Sequence, residues 1–268
     1  MLNLRCVRVW LGAVLAMSAA GCVTLPPNAK PVPQDPWESW NRGVYRVNDA
    51  LDRNIAKPVA QTYVRAVPAP VRTGINNMQS NLRVTTVMVN NALQGKFLAA
   101  SSDLARFLVN LTVGVGGLLD PATQMGLDRH DQDFGQTLGH WGVPSGPFVE
   151  IPLLGPSSAR DAPARIVDYF TGPTHYIKNN GVAWSLYGVF LLDTRVSVLS
   201  LDETLSRVYD PYAFIRDAYL QRREFLISGE KTTEEPLLDP GADEPTDSPK
   251  PDAPKTPPPP EAPPKNPQ

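Results

Sequence analysis

The chain has 268 residues, 29 of them proline, with 25 Lys and Arg against 27 Asp and Glu for a net charge of -2. No surplus of basic residues gathers along it, which excludes nucleic acid as the default partner, because phosphate binding needs clustered Lys and Arg. Both cysteines, Cys6 and Cys22, lie near the N-terminus, so neither a disulfide framework nor a Cys-based metal site holds the body together, and burial must do so.

Arg5 and Arg8 precede an apolar run over 9–20 (VWLGAVLAMSAA) that ends in small residues. This pattern predicts a signal peptide over 1–21. As a helix, twelve residues span about 18 Å against a hydrocarbon core of about 30 Å, so the run is too short for a permanent span. Ala19-Ala20-Gly21-Cys22 is similar to a bacterial lipobox, in which the cysteine is acylated and becomes the first mature residue. Each buried CH₂ contributes about 0.8 kcal/mol, so several acyl chains on Cys22 are expected to hold the N-terminus in a leaflet. Val23 stands where an Asp would signal inner-membrane retention, a pattern similar to that of outer-membrane lipoproteins.

Residues 22–34 are Pro-rich and polar and read as a lipidated, extended tether. The helical body is expected over 35–229, and 230–268 reads as a disordered tail, with 13 prolines in 236–268. Within the body, Asp35-Pro36-Trp37-Glu38 offers an N-cap, a proline in the first turn and a Glu three residues on, predicting a helix over about 36–54. Pro58 predicts a second start near Lys57, ending before Pro68 or Pro70. Helices are also predicted over 71–94 and 102–111, and Asp120-Pro121 and Asp210-Pro211 each read as a helix start. The last helical region places Leu201, Leu205, Val208, Tyr212, Ile215 and Tyr219 on one stripe, with Arg207, Arg216, Asp217, Arg222 and Arg223 mostly elsewhere. Residues 139–157 hold too many Gly and Pro for a central strand. The fold class is therefore all-α with long Gly/Pro-rich loops.

Two stretches, 107–119 (FLVNLTVGVGGLL) and 181–192 (GVAWSLYGVFLL), are apolar nearly all round. They are either the buried centre of the body or surfaces that enter one leaflet, since neither is long enough to cross a bilayer. The search for chemistry returns little. Asp128-Arg129-His130-Asp131-Gln132-Asp133 lacks the Gly and the terminal Glu that a calcium loop needs at its sixth and twelfth positions. His130, His140 and His175 show no zinc-binding spacing. Gly114-Val115-Gly116-Gly117 is no phosphate loop and reads as close packing or a bend, and Ser145 lies outside a nucleophile elbow. No catalytic residue, metal or cofactor is expected.

Several segments together resemble the MlaA (VacJ) family of outer-membrane lipoproteins: Asn41-Arg42-Gly43-Val44-Tyr45, Tyr63-Val64-Arg65-Ala66-Val67-Pro68, Asn90-Asn91-Ala92-Leu93-Gln94-Gly95 and Asp133-Phe134-Gly135-Gln136-Thr137-Leu138-Gly139. Trp141-Gly142-Val143, Leu153-Leu154-Gly155-Pro156-Ser157, Arg160-Asp161 and Asp210-Pro211-Tyr212 extend the resemblance over about 35–225. It implies a ring-like, helical, membrane-embedded lipoprotein in the inner leaflet of the outer membrane, with an amphipathic channel and trimeric porins as partners. It also implies that phospholipid misplaced in the outer leaflet passes to the periplasmic lipid-binding protein MlaC, with no covalent bond made or broken. Asp133, Gln136, Arg160 and Asp161 are the motif positions to inspect for a polar channel wall, with structural hydrogen bonding as the other reading. Gly135, Gly139 and Gly142 read as loop-turn residues. A structural envelope scaffold and a phospholipase are the competing function classes.

Overall fold

The computed structural model describes residues 32–228. The expected signal peptide, the lipidation at Cys22, most of the tether and the tail lie outside the described residues.

The first helix, α1 (Glu38–Leu51), runs through a π-helical turn (Asp52–Ala56) into α2 (Lys57–Ala66). Pro58 has no N–H to return to the carbonyl of Asn54, so the ladder widens, and the Lys57 N–H reaches the Asp52 carbonyl. Asp35 does not cap α1. The N-cap is Trp37, with no side-chain bond. The Asp35 carboxylate is buried and instead accepts from Asn41 Nδ2 at 2.8 Å and from the Tyr212 hydroxyl, with Arg216 3.4 Å away. A buried carboxylate needs a cation and donors, and Arg216 supplies the cation that a helix terminus does not.

The long α3 (Ala69–Leu93) packs on α4 (Phe97–Thr112) across a turn in which Gly95 has φ +75° and the Lys96 N–H reaches the Asn91 carbonyl. This turn restarts the chain at Phe97, earlier than the 102–111 prediction. Exposed Phe97 and Leu98 fill the first turn without a side-chain cap, so local sequence carried no start signal. Both Asp-Pro signals mark helix starts: Asp120 caps α5 (Pro121–Gln124), and Asp210 caps the C-terminal helix through the Ala213 N–H.

After α6 (Phe134–His140) the chain forms an antiparallel hairpin of β1 (Phe148–Ile151) and β2 (Gly155–Ser158), with Phe148 opposite Ser158 and Ile151 opposite Gly155. The Gly and Pro content excluded a central strand, but it permits this isolated pair. Asn41 and Asn48, seven residues apart on one face of α1, stitch the hairpin down: Asn41 bonds the Phe148 carbonyl and the Glu150 N–H, and Asn48 bonds Glu150 Oε1, the Ile151 carbonyl and the Leu153 N–H.

Next come α7 (Asp161–Thr171), a 3₁₀ turn (Pro173–Tyr176), α8 (Asn180–Ser197), α9 (Leu201–Arg207) and α10 (Pro211–Ser228). The predicted C-terminal stripe is broken at 208–210, and the buried residues of α10 are Tyr212, Arg216 and Arg223. The arginines thus face inward, against the amphipathic reading, because the interior they meet is itself charged. Asn81, Asn90, Asn91, Asp103, Arg106, Glu150 and Asp161 are all buried, while the buried apolar set is small and led by Phe148, Val87 and Val44.

The large apolar side chains are outside instead. In α8 the one buried residue is Asp193, and Trp184 is 68% exposed. Val113, Val115, Leu118 and Leu119 are likewise exposed, on a turn where Val115, Gly116 and Gly117 all have positive φ. Neither stretch is the core. No described helix is long and apolar enough to cross a membrane alone, although α8 and α9, bent by 59°, pass that test as a pair by length and composition.

Candidate functional site

The motif residues converge on one buried network beside a cavity. Asp133, the N-cap of α6, accepts the Gln136 N–H at 2.8 Å and takes both terminal nitrogens of Arg223 at 2.6 and 2.9 Å. Asp161, at the start of α7, accepts from Arg160 Nε at 2.8 Å and the Tyr219 hydroxyl at 2.7 Å. The oxygen that accepts from Tyr219 also lies 2.8 Å from Arg223 Nε, as an ion pair rather than an aligned hydrogen bond. Arg223 therefore joins the N-terminal ends of α6 and α7 to α10. Burial pushes both carboxyls up, but their bonds to Arg223 and Arg160 outweigh it and hold both below the ordinary carboxylate range.

Glycine makes this approach possible. A Cβ on Gly135 would stand 2.4 Å from Asp161 Oδ1 and 2.7 Å from an Arg223 nitrogen, and one on Gly139 would stand 2.6 Å from Ile227 Cδ1. Both glycines lie inside α6, so the expectation of loop turns is corrected for them: they admit α10 and its guanidinium. Gly142, with φ +90°, is a turn residue.

The cavity has a volume of about 480 Å³ and lies among α3, the residues leading into α6, α7, the 3₁₀ turn and α8. Its lining includes apolar Leu82, Tyr169, Pro173 and Phe190 and charged Arg83, Asp133, Arg165 and Asp168. Among the motif candidates, Asp133 lines it. Gln136, Arg160 and Asp161 are buried in the network behind. Asp168 accepts from Asn90 Nδ2 at 3.1 Å and the Phe134 N–H at 3.0 Å, and burial, then the neighbouring Asp133 charge, push its carboxyl up to about 6. A smaller polar cavity of about 220 Å³ adjoins at Arg83, which lines both.

Other polar candidates are engaged elsewhere. Asp131 pairs with Arg83 at 2.8 Å and lies 3.8 Å from Arg222, and His130 Nδ1 lies 2.7 Å from Asp103. Among the described residues no group of three or more His, Cys, Asp or Glu is placed to hold a metal ion. The Ser145 hydroxyl is buried without a hydrogen-bond partner, so no base addresses it.

Sequence reasoning missed Arg165, Asp168, Leu82 and Phe190, and placed Arg223 on the wrong face. The available signal was the spacing of Arg165 and Asp168, three apart and hence neighbours on one helix face.

Comparison with known proteins agrees with this architecture. The family model described as MlaA lipoprotein matches residues 33–226. The intermembrane phospholipid transport system lipoprotein MlaA of Escherichia coli (strain K12) is 37% identical over 206 residues, covering 73% of this chain and 79% of that protein. Its counterpart in Haemophilus influenzae is 30% identical over 207 residues, covering 75% and 82%. A solved structure bearing on the structural basis for maintenance of bacterial outer membrane lipid asymmetry matches with a TM-score of 0.65 and 35% identity, over 72% of this chain and 98% of that one. The chain belongs to the MlaA lipoprotein family.

Proposed function

We propose that this family member is an outer-membrane lipoprotein that takes phospholipid misplaced in the outer leaflet and passes it, intact, through the α3/α7/α8 cavity toward the periplasm. The observation that carries the reading is the mixed lining of that cavity, in which Leu82, Tyr169 and Phe190 share one space with Arg83, Arg165 and Asp168. A phospholipid stripped of water needs both surfaces at once, because an unpartnered phosphate in an apolar site costs many kcal/mol. Cys22 carries the acyl anchor. The exposed apolar surfaces of α8 and 113–119 seat the body in the inner leaflet, where large apolar patches are stable. The cargo leaves to a soluble periplasmic lipid-binding protein of the MlaC kind, with trimeric porins as membrane neighbours. The unaddressed Ser145 hydroxyl favours a conduit over a phospholipase.

Deletion of the gene tests the reading. Phospholipid is expected to accumulate in the outer leaflet and to be cleared by the wild-type copy, with no fatty acid or lysophospholipid released by the purified protein. An unchanged outer leaflet would leave a scaffold role. Release abolished by Ser145→Ala would make the protein a lipase.

A further inference from the structure

The cavity holds one unpaired cation and one unpaired anion, a turn apart on the same face of α7. Arg165 makes no ion pair among the described residues. Its guanidinium donates to two hairpin carbonyls, Leu154 at 3.1 Å and Pro156 at 2.7 Å, which use two of its five N–H groups. Asp168 makes none either: its partners are the Asn90 amide and the Phe134 N–H, and Arg83, the cation that acts on it, is bonded to Asp131. The two do not pair with each other, because Arg165 is turned to the hairpin and Asp168 to the start of α6. The other charges on the wall are neutralised, Asp133 by Arg223 and Arg83 by Asp131. What the cavity offers a ligand is therefore one positive and one negative side chain with no ion-pair partner among the described residues, Arg165 acting only at longer range on Glu150, with Leu82, Tyr169 and Phe190 beside them.

We propose that Arg165 and Asp168 together receive a zwitterionic amine head group, the phosphate at Arg165 and the primary ammonium at Asp168, so that the cavity prefers an amine-bearing phospholipid over a purely anionic one. The inference rests on the lipid-conduit reading above. Both side chains line the same cavity from one face of α7, three residues apart, so one head group carrying a phosphate ester and an ammonium can address both. An anionic glycerol head group satisfies Arg165 but leaves the Asp168 carboxylate facing a neutral hydroxyl. The ammonium gives that carboxylate the charge-assisted partner the protein withholds. Burial and then the Asp133 charge push this carboxyl up, and an ammonium beside it would act in the opposite direction.

The test uses the full chain purified in detergent and fluorescent phosphatidylethanolamine and phosphatidylglycerol with identical acyl chains. Wild type is expected to bind the ethanolamine lipid about tenfold more tightly, the equivalent of one charge-assisted bond. N-acetylation of the amine should reduce binding to the phosphatidylglycerol level, a ligand-side change that does not depend on any variant folding. Asp168→Asn should erase the preference by weakening the ethanolamine lipid alone, whereas Arg165→Gln should weaken both lipids. Soluble phosphoethanolamine should compete only at far higher concentration. Equal competition would reassign the site to a water-soluble phosphoamine. Equal binding of the two lipids by wild type, or a preference that survives Asp168→Asn or N-acetylation, overturns the inference while leaving the conduit intact. Binding of neither lipid overturns the conduit reading as well.

Discussion

Arg223 is the residue whose removal should do most damage, because it serves two carboxylates at once. Replacing it with Met keeps the unbranched stem, removes the guanidinium, and deletes the bonds of 2.6 and 2.9 Å to Asp133 and the ion pair of 2.8 Å to Asp161. Asp161 retains Arg160 and Tyr219, but Asp133 is left with the Gln136 contacts alone. Breaking a buried pair from one side costs about 3–5 kcal/mol, and in a domain of this size 1 kcal/mol moves the midpoint by about 2–4 °C. Thermal melts followed by far-UV circular dichroism should place Arg223→Met on the order of 10 °C below wild type at pH 7. The pH dependence has a fixed sign. Asp133 and Asp161 are depressed in the folded state, so their contribution is present above the unfolded carboxylate value of about 4 and is lost as pH falls through the folded values. The gap between variant and wild type should therefore narrow below pH 4. A shift under about 2 °C at pH 7, or a gap that widens in acid, would refute the claim that Arg223 holds the ends of α6 and α7 together.

Three further outcomes follow from the same structure. Gly135→Ala should destabilise by more than the ordinary cost of an added methyl, seen in the same melts, because its Cβ would meet Asp161 Oδ1 at 2.4 Å. Glu150 is buried within the hairpin, in β1, and burial, partly offset by Asn48, raises its carboxyl from 4.5 to about 7. The folded state therefore keeps a proton that the unfolded state gives up, and stability falls as pH rises between those values. Glu150→Gln should accordingly gain about 2 kcal/mol at pH 8 and little at pH 5, and a gain confined to acid would reverse this assignment. A chain starting at Asp35, without the anchor, should still bind liposomes, with Trp184 quenched by lipid-depth probes; a detergent-free monomer that ignores liposomes would place α8 against protein or water instead.

Helix starts were legible where local chemistry sets them, which it does not at Phe97. Asp-Pro at 120–121 and 210–211 caps its helix, although Asp35-Pro36 does not, and Pro58 forbids an uninterrupted ladder. The inward faces were not, since periodicity arguments assume an apolar interior and this one is built from Asn, Asp and Arg. That assumption sent Arg216 and Arg223 to the surface and made Asp35 a cap. It also left open whether 107–119 and 181–192 were core, which only their exposure decides. The resemblance brought Asp133, Gln136, Arg160 and Asp161 to notice as a set, but not that Arg223 completes them or that Asp133 alone reaches the cavity. The spacing of Arg165 and Asp168 puts them on one helix face, but they escaped because the lack of ion-pair partners among the described residues is a property of the folded neighbourhood.

The central claim is that phospholipid occupies the cavity among α3, α7 and α8. A photoreactive amino acid placed at Leu82 or at Phe190, apolar residues of its lining, and irradiated in native membranes reads this out by intact mass. Both positions should acquire adducts of the mass of whole phospholipid, while the same label at exposed Glu203 should not. Lipid adducts no more abundant at Leu82 and Phe190 than at Glu203 would contradict the account.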